Sequence, residues 1–148
     1  MHALKLPEYE FKITETSPPK IFDPIRKKYV TLTPEEWVRQ NFLMFLVKEK
    51  NYPAQLILPE QSLTVLKLRK RCDAVVYDKK GCPLMIIEFK SPDVPINQKV
   101  FDQIARYNMA LNVNYLIVSN GWEHFSCFID ITNKTYRFLE QIPDYSEL

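Results

Sequence analysis

Three charged residues lie on two neighbouring stretches that both read as buried strands. Asp73 is on the first stretch, and Glu88 and Lys90 lie near the end of the second. A turn signal at 78–81 separates the two stretches. Two carboxylates and an ammonium group in one place can hold a divalent cation and hydrolyse a phosphodiester. This predicted hairpin is therefore the candidate centre of a functional site.

The pairing of the two strands decides whether these charges meet. We expect the hairpin to close with Tyr77 paired to Cys82. Asp73 then lies on the same face as Glu88 and diagonal to it, roughly 7–8 Å away. Lys90 shares that face because residues two apart in a strand point the same way. A buried ion pair of Lys90 with one carboxylate is the alternative, since charges inside buried strands must be paired or bind metal.

Composition limits the classes of function that the chain can have. With 148 residues, 46% of them hydrophobic, the chain is long enough for one domain with a core. Its two glycines are too few for a glycine-rich phosphate loop, so we expect no ATP-driven motor. Its two histidines are too few for a histidine-based metal site. Any metal would therefore be bound by oxygen, which favours Mg²⁺ or Mn²⁺.

The cysteines and the apolar segments bear on the location of the protein. Cys72, Cys82 and Cys127 lack metal-ligand spacing, so we expect reduced thiols. A disulfide between Cys72 and Cys82 is conceivable but not favoured. The N-terminus lacks the apolar segment of a secretory signal, and no apolar run reaches membrane-spanning length. These features predict a cytoplasmic protein without a membrane partner.

Basic residues cluster in two places, although the net charge is only +2. The segment 67–71 carries four basic residues and leads directly into Asp73. Here we expect Lys70 and Arg71 to contact a phosphate backbone. The second cluster, at 26–28, is expected to be a solvated surface.

The predicted elements give an α/β domain with a mixed central sheet flanked by helices. Residues 1–30, which prolines interrupt, should form an extended arm or a small hairpin, and residues 31–148 the main domain. The first helix should follow the N-cap Thr33 and run to about Lys50. Besides the two strands of the hairpin, the other predicted elements are strands at 55–59, 62–68, 114–119 and 125–131, a helix at 97–111, and a last short element at 136–139.

Both predicted helices carry candidate site residues. In the first helix, Glu36 should complete a capping box and point away from the apolar stripe. Glu35 falls inside that stripe, which makes it a candidate for the site. The alternative is a surface glutamate favoured by the helix dipole. In the second helix Gln103 and Tyr107 lie four residues apart and share one face, with Tyr107 on the expected buried stripe.

The order of these motifs resembles that of the PD-(D/E)XK phosphodiesterase superfamily, and of its branch with a Gln-x-x-x-Tyr signature. The matching residues are Asp73, Glu88-Phe89-Lys90, Gln103 and Tyr107. A closer resemblance is to the N-terminal nuclease domain of type I restriction enzyme R subunits. The segments that carry it are 32–40, 52–53, 71–73, 88–90 and 102–108. Cys72 stands where the superfamily motif has proline. Since R subunits also carry a helicase motor, we expect this chain to be a stand-alone version or a fragment.

The resemblance implies a restriction-endonuclease-like fold and metal-dependent hydrolysis of nucleic acid, with DNA as the expected substrate. In such a site Asp73 and Glu88 bind Mg²⁺ or Mn²⁺, and the backbone carbonyl of Phe89 is a further ligand. Lys90 orients the attacking water or stabilises the developing negative charge.

The resemblance also implies supporting residues and partners. Gln103 and Tyr107 would brace the site or touch the nucleic acid, and Glu35 would complete the set of carboxylates. A homodimer, or separate motor and specificity subunits, would be the protein partners. One alternative is a catalytically inactive module on the same fold that binds nucleic acid or a partner. Another is a small structural domain with a buried ion-pair cluster.

Overall fold

A computed structural model describes residues 3–148 as an α/β structure built on a six-stranded sheet. The elements in chain order are β1 (Lys20–Asp23), β2 (Lys28–Thr31), α1 (Pro34–Glu49), β3 (Ile57–Val65), β4 (Leu68–Tyr77), β5 (Pro83–Phe89), α2 (Gln98–Met109), β6 (Tyr115–Ser119), β7 (His124–Asp130) and β8 (Thr135–Phe138). The sheet order is β3-β4-β5-β6-β7-β8, and only β5 and β6 are parallel. A parallel pair needs a long crossover, which α2 supplies. The predicted α/β fold with a mixed sheet is confirmed.

The N-terminal region forms a small hairpin that leads into α1. Strands β1 and β2 pair antiparallel and are separate from the main sheet. The Thr33 hydroxyl accepts a 3.0 Å hydrogen bond from the Glu36 backbone N–H, which caps α1 as predicted. Met1 and His2 lie outside the described residues.

The two faces of the sheet carry separate apolar layers. On one face, α1 packs Val38 and Phe42 against Ile87 of β5. On the other face, α2 packs Phe101 against a layer that includes Ile86. Consecutive residues of β5 thus enter opposite layers, as the alternation of a strand requires. Because both layers are apolar, β5 is buried on both sides along most of its length.

Two details of the sequence prediction are wrong. The strands predicted at 55–59 and 62–68 are one continuous strand, β3, because Glu60 adopts a left-handed φ of +55° without interrupting the pairing on either side. The buried stripe of α2 contains Phe101, Ala105 and Asn108, whereas Tyr107 is exposed. The stripe is turned this way because the Phe101 ring packs against aromatic rings of β7 and β8.

Between residues 3 and 148, no helix is both long and apolar enough to cross a membrane.

The three thiols are free, and only Cys82 is exposed. Burial raises the pKa of Cys72 to about 11 and that of Cys127 to about 12. We therefore predict that an alkylating reagent labels only Cys82 in the native protein, because the thiolate is the reactive form. Mass spectrometry should show one fast site, three sites after denaturation, and none in native Cys82→Ser. Rapid labelling of Cys72 in the native protein would contradict the fold.

Candidate active site

The pairing of β4 with β5 differs from the predicted register. Ala74 pairs with Ile87, and the next position brings Asp73 level with Glu88 rather than diagonal to it. The predicted Tyr77–Cys82 pair is wrong because Asp78 takes that place. Its backbone N–H bonds to the Cys82 carbonyl, and its side chain accepts hydrogen bonds from the backbone of the turn. A bulge after Val76 absorbs the difference.

The side-chain alternation of β4 breaks at Asp73. Cys72 and Val75 both pack in the layer of α2, whereas Ala74 packs in the layer of α1. A regular strand cannot place residues three apart on one face. The neighbouring strand is irregular at the same level, because Glu60 and its left-handed φ lie between the pairs formed with Ala74 and Cys72. The sequence prediction assumed a regular strand here and missed this break.

Asp73 reaches both β5 and α1 from this break. Its Oδ2 accepts a 2.7 Å hydrogen bond from the backbone N–H of Phe89. Its Oδ1 lies 3.9 Å from the Arg39 guanidinium on α1. A bond from a buried backbone N–H to a carboxylate is strong and directional. It therefore fixes the orientation of the Asp73 carboxylate.

Glu88 lies on the α2 side of the sheet, and its carboxylate interacts electrostatically with that of Asp73. The pKa of Glu88 is raised to about 7, chiefly because the carboxylate is buried; the ion pair with Lys70 lowers this pKa, and the neighbouring Asp73 carboxylate raises it. Lys70 forms a close ion pair with Glu88 and lies 5.3 Å from the centre of the Tyr107 ring. The sequence assigned Lys70 to phosphate contact, but here it compensates a buried carboxylate. A carboxylate with a raised pKa beside a second carboxylate is typical of functional sites.

Lys90 and Glu35 complete the group near Asp73. The Lys90 backbone N–H donates a 2.8 Å hydrogen bond to the Ser119 carbonyl, which anchors the end of β5. Among residues 3–148 no carboxylate lies within 4 Å of the Lys90 ammonium. Partial burial, and then Asp73, raise the pKa of Glu35, whereas Arg39 and Lys90 lower it. The Glu35 carboxylate therefore interacts electrostatically with both Asp73 and Lys90.

The sequence predicted that Glu36 completes a capping box and points away from the apolar stripe of α1, but it did not predict that this side chain is buried. Its carboxylate accepts hydrogen bonds from Arg26 at 3.0 Å, Arg39 at 3.3 Å and Gln40 at 2.8 Å. The N-terminal hairpin covers this side of α1 and supplies Arg26, which we expected to be solvated. A helical pattern alone does not show that another segment covers its polar face.

The other predicted site residues make fewer side-chain contacts or none. Gln103 is exposed, and in the described part of the chain its side chain makes no hydrogen bond. Arg71 is 69% exposed at its side chain and lies 3.4 Å from Glu60. Phe89 is buried, and the role of its carbonyl as a metal ligand stays a prediction.

Arg39 is a site residue that the sequence reasoning missed. Its guanidinium lies 3.6 Å from Glu60 and 3.8 Å from Glu35, in addition to its contacts with Glu36 and Asp73. The side chain is buried, and its Nε has no hydrogen-bond partner among the described residues. The available signal was its position four residues after Glu35, which places the two on one side of a helix.

Comparisons with known proteins identify the family of the chain. The model of the family described as type I restriction enzyme R protein N terminus (HSDR_N) matches residues 34–143. The chain belongs to this family. The match begins with α1 and includes every candidate site residue named above. A comparison with curated proteins finds no significant relative.

Two solved structures resemble the fold. A fragment of a candidate HsdR subunit of a type I restriction enzyme from Vibrio vulnificus YJ016 has 20% sequence identity and a TM-score of 0.56. The similarity covers 79% of this chain but only 24% of that one, so the chain spans about a quarter of its length. A candidate nuclease of the DUF820 group from Anabaena variabilis ATCC 29413 has 13% identity and a TM-score of 0.50, over 91% of this chain and 88% of that one. The fold is thus restriction-endonuclease-like, as predicted.

The donor atoms at the site fit a hard divalent cation. Asp73 and Glu88 provide carboxylate oxygens, and the Glu35 carboxylate interacts electrostatically with Asp73. Within the described residues, no group of three or more His, Cys, Asp or Glu side chains is arranged as a ready-made metal site. Mg²⁺ commonly binds through one or two carboxylates and completes its shell with water and substrate phosphate. The Lys70 ammonium must leave Glu88 for a cation to bind there.

Arg39 lies between several buried or half-buried carboxylates, so its removal should be costly. We predict that Arg39→Met lowers the free energy of unfolding by about 3 kcal/mol, because Glu36 would remain buried with fewer partners. Urea denaturation followed by circular dichroism measures this difference. Arg106→Met, which changes an exposed arginine on α2, should alter stability by no more than about 0.5 kcal/mol. Equal effects of the two substitutions would show that the ion cluster contributes nothing specific.

Proposed function

We propose that this chain is a metal-dependent nuclease that hydrolyses phosphodiester bonds of DNA. The observation that carries the proposal is the meeting of the Asp73 and Glu88 carboxylates where the pairing of β4 with β5 ends. Lys90 follows two residues after Glu88, and its ammonium has no ion-pair partner within the described residues. This combination of groups can bind a cation and still leave one amine for the substrate.

In the proposed mechanism, a bound Mg²⁺ or Mn²⁺ would supply an activated water and neutralise charge on the phosphate. Asp73 and Glu88 would hold the cation, with the Phe89 carbonyl as the further ligand. The Phe89 N–H keeps the Asp73 carboxylate in a fixed orientation before anything binds. The Lys90 ammonium orients the attacking water or stabilises the negative charge that develops on the phosphate.

The remaining candidates have supporting roles in this proposal. The half-exposed Glu35 carboxylate accepts a hydrogen bond from a water at the site. When the Lys70 side chain moves off Glu88, the Tyr107 ring packs against the aliphatic part of Lys70 and stabilises its charge through a cation–π contact. Gln103, exposed one turn earlier on α2, contacts the nucleic acid. Motor and specificity subunits are the protein partners that membership of this family suggests, and a homodimer is the alternative for double-strand cleavage.

A second function has one observation in its favour. The ion pair of Lys70 with Glu88 already compensates a carboxylate that a metal would otherwise need to neutralise. This arrangement would suit a catalytically inactive module that binds nucleic acid or a partner through the same fold. Metal binding separates the two functions, because the module requires no cation at Asp73.

Calorimetric titration with Mn²⁺ provides this separation. We predict heat of binding for the wild-type protein and at least a tenfold weaker affinity for Asp73→Asn, which keeps the shape of the side chain but removes its charge. Asp93→Asn, in the exposed loop after β5, should bind as the wild type does. If neither the wild type nor Asp93→Asn binds Mn²⁺, the inactive module becomes the better account.

Cleavage assays test the role of Lys90. Single-stranded, duplex and branched DNA should be incubated with the protein and Mg²⁺ or Mn²⁺. We predict that Lys90→Met lowers the cleavage rate by at least a hundredfold, since removing one group that stabilises the transition state costs about that much. Lys99→Met, which removes an exposed ammonium from α2, is the matched control and should retain the wild-type rate. A Lys90→Met protein that cuts at the wild-type rate would exclude Lys90 from the chemistry.

A further inference from the structure

The hairpin of β3 and β4 extends beyond the rest of the sheet. The two strands pair with each other from Ile57 and Val76 as far as Val65 and Leu68. Strand β5, in contrast, pairs with β4 only between residues 74 and 77. Residues 61–72 are therefore bonded as strands only to one another, and we call them the hairpin arm. From Asp73 to the tip at Leu66 the arm spans roughly 23 Å.

The hairpin arm has one apolar and one polar face. Its apolar side chains, Leu63, Val65 and Leu68, are half-buried against the layer of α2. On the opposite face, Arg69 is paired in register with Thr64, and Arg71 with Ser62. All four of these residues are exposed. The apolar face is occupied by the protein itself, so only the polar face and the tip are available to a partner.

The polar face leads into the candidate active site. At its base, Glu60 lies 3.4 Å from Arg71 and 3.6 Å from Arg39, which in turn contacts Asp73. Arg69, further along the arm, has no acidic partner within the described residues. Arg69 and Arg71 thus lie along the route from the tip of the arm to the carboxylates, and Glu60 lies beside Arg71 at the base. Arginine guanidinium groups bind phosphate oxygens with two parallel hydrogen bonds.

The tip of the arm is a leucine, Leu66, whose exposure and backbone conformation are both unfavourable for this residue type. Leu66 is 95% exposed and has a φ of +56°, a backbone conformation in which glycine or asparagine is preferred. The fold itself gains neither burial nor an easy turn from this leucine. Lys67 follows it directly, and Arg69 is three residues away. Proteins that bend duplexes insert single apolar side chains of this kind between base steps and surround them with cations.

We propose that the hairpin arm binds duplex DNA and delivers one strand of it to Asp73. Arg69 and Arg71 hold consecutive phosphates of that strand, and Leu66 enters the adjacent groove and contacts the bases. At about 3.4 Å per base pair, the arm covers six or seven base pairs. The proposal rests on the proposed nuclease function, and it adds the surface and the form of the substrate.

Charge complementarity favours DNA over a protein partner as the occupant of the arm. A protein interface of useful affinity has a buried apolar centre, whereas the free face of the arm offers hydroxyl and guanidinium groups. Its single exposed apolar side chain is Leu66. A polyanion satisfies the arginines along the whole length of the arm, and a groove lined by bases receives the tip.

Fluorescence anisotropy with a labelled DNA duplex tests the two arginines. We expect Arg69→Ala/Arg71→Ala to weaken binding at least tenfold in low salt. The slope of log K against log salt should become shallower by about 2, since each phosphate contact contributes about 0.9. Lys79→Ala/Lys80→Ala removes the same charge from the turn between β4 and β5, and should bind as the wild type does. Equal losses in the two double variants would overturn the role of the arm.

Leu66→Asn tests the tip. Asparagine tolerates the left-handed backbone, so thermal stability should stay equal or rise, and a loss of DNA binding would not result from unfolding. We expect at least threefold weaker duplex binding with an unchanged salt slope. A duplex containing 2-aminopurine should fluoresce on binding wild type but not Leu66→Asn, because an inserted side chain unstacks the base. Wild-type binding and fluorescence with Leu66→Asn would overturn the role of the tip, the result expected if this leucine contacts a protein.

These outcomes can be separated from those of the nuclease proposal. If the wild type binds Mn²⁺ and cuts DNA while the arm variants bind duplexes normally, the arm proposal falls and the nuclease stands. If the wild type binds no Mn²⁺ and does not cut, but the arm variants lose DNA binding, the arm stands and the nuclease falls.

Discussion

The hydrogen bond from the Phe89 backbone to the Asp73 carboxylate is the contact on which the candidate site depends. Asp73 lies where β4 leaves β5 and where the alternation of its side chains breaks, so the regular sheet does not hold it in place. A hydrogen bond to a charged group contributes about 1.5–3 kcal/mol, enough to select one orientation. This N–H belongs to the peptide bond between Glu88 and Phe89, so the hydrogen bond joins the Asp73 carboxylate to the strand that carries Glu88 and leads to Lys90.

The N-terminal hairpin takes part in the site although it is separate from the main sheet. Arg26, in the turn between β1 and β2, contacts Glu36 on α1 and Glu60 on β3. Arg39 lies between these same carboxylates and Asp73. Such a cluster is costly to desolvate, and its value lies more in fixing geometry than in stability. The cluster holds α1, the irregular part of β3 and Asp73, the first residue of the candidate motif, in one arrangement.

The sequence predicted the parts of this structure that follow from local chemistry. The cap at Thr33, the mixed sheet, and the proximity of Asp73 to Glu88 all came from turn signals, periodicity and motif order. The register was wrong because the side chain of Asp78 reorganises the turn, an effect that strand alternation does not contain. The burial of Glu36 was missed because it depends on Arg26, ten residues earlier in the chain. Tertiary ion pairs of this kind leave no periodic signal in a single sequence.

The central claim is that Asp73 and Glu88 form a cation site and not a permanent ion pair with Lys70. The most direct measurement is a crystal structure of the protein soaked in Mn²⁺, with an anomalous difference map collected near the manganese absorption edge. We predict a peak within coordinating distance of oxygens of both carboxylates, with the Lys70 ammonium displaced from Glu88. A map without a peak at these residues, in which Lys70 still pairs with Glu88 at saturating Mn²⁺, would contradict the account.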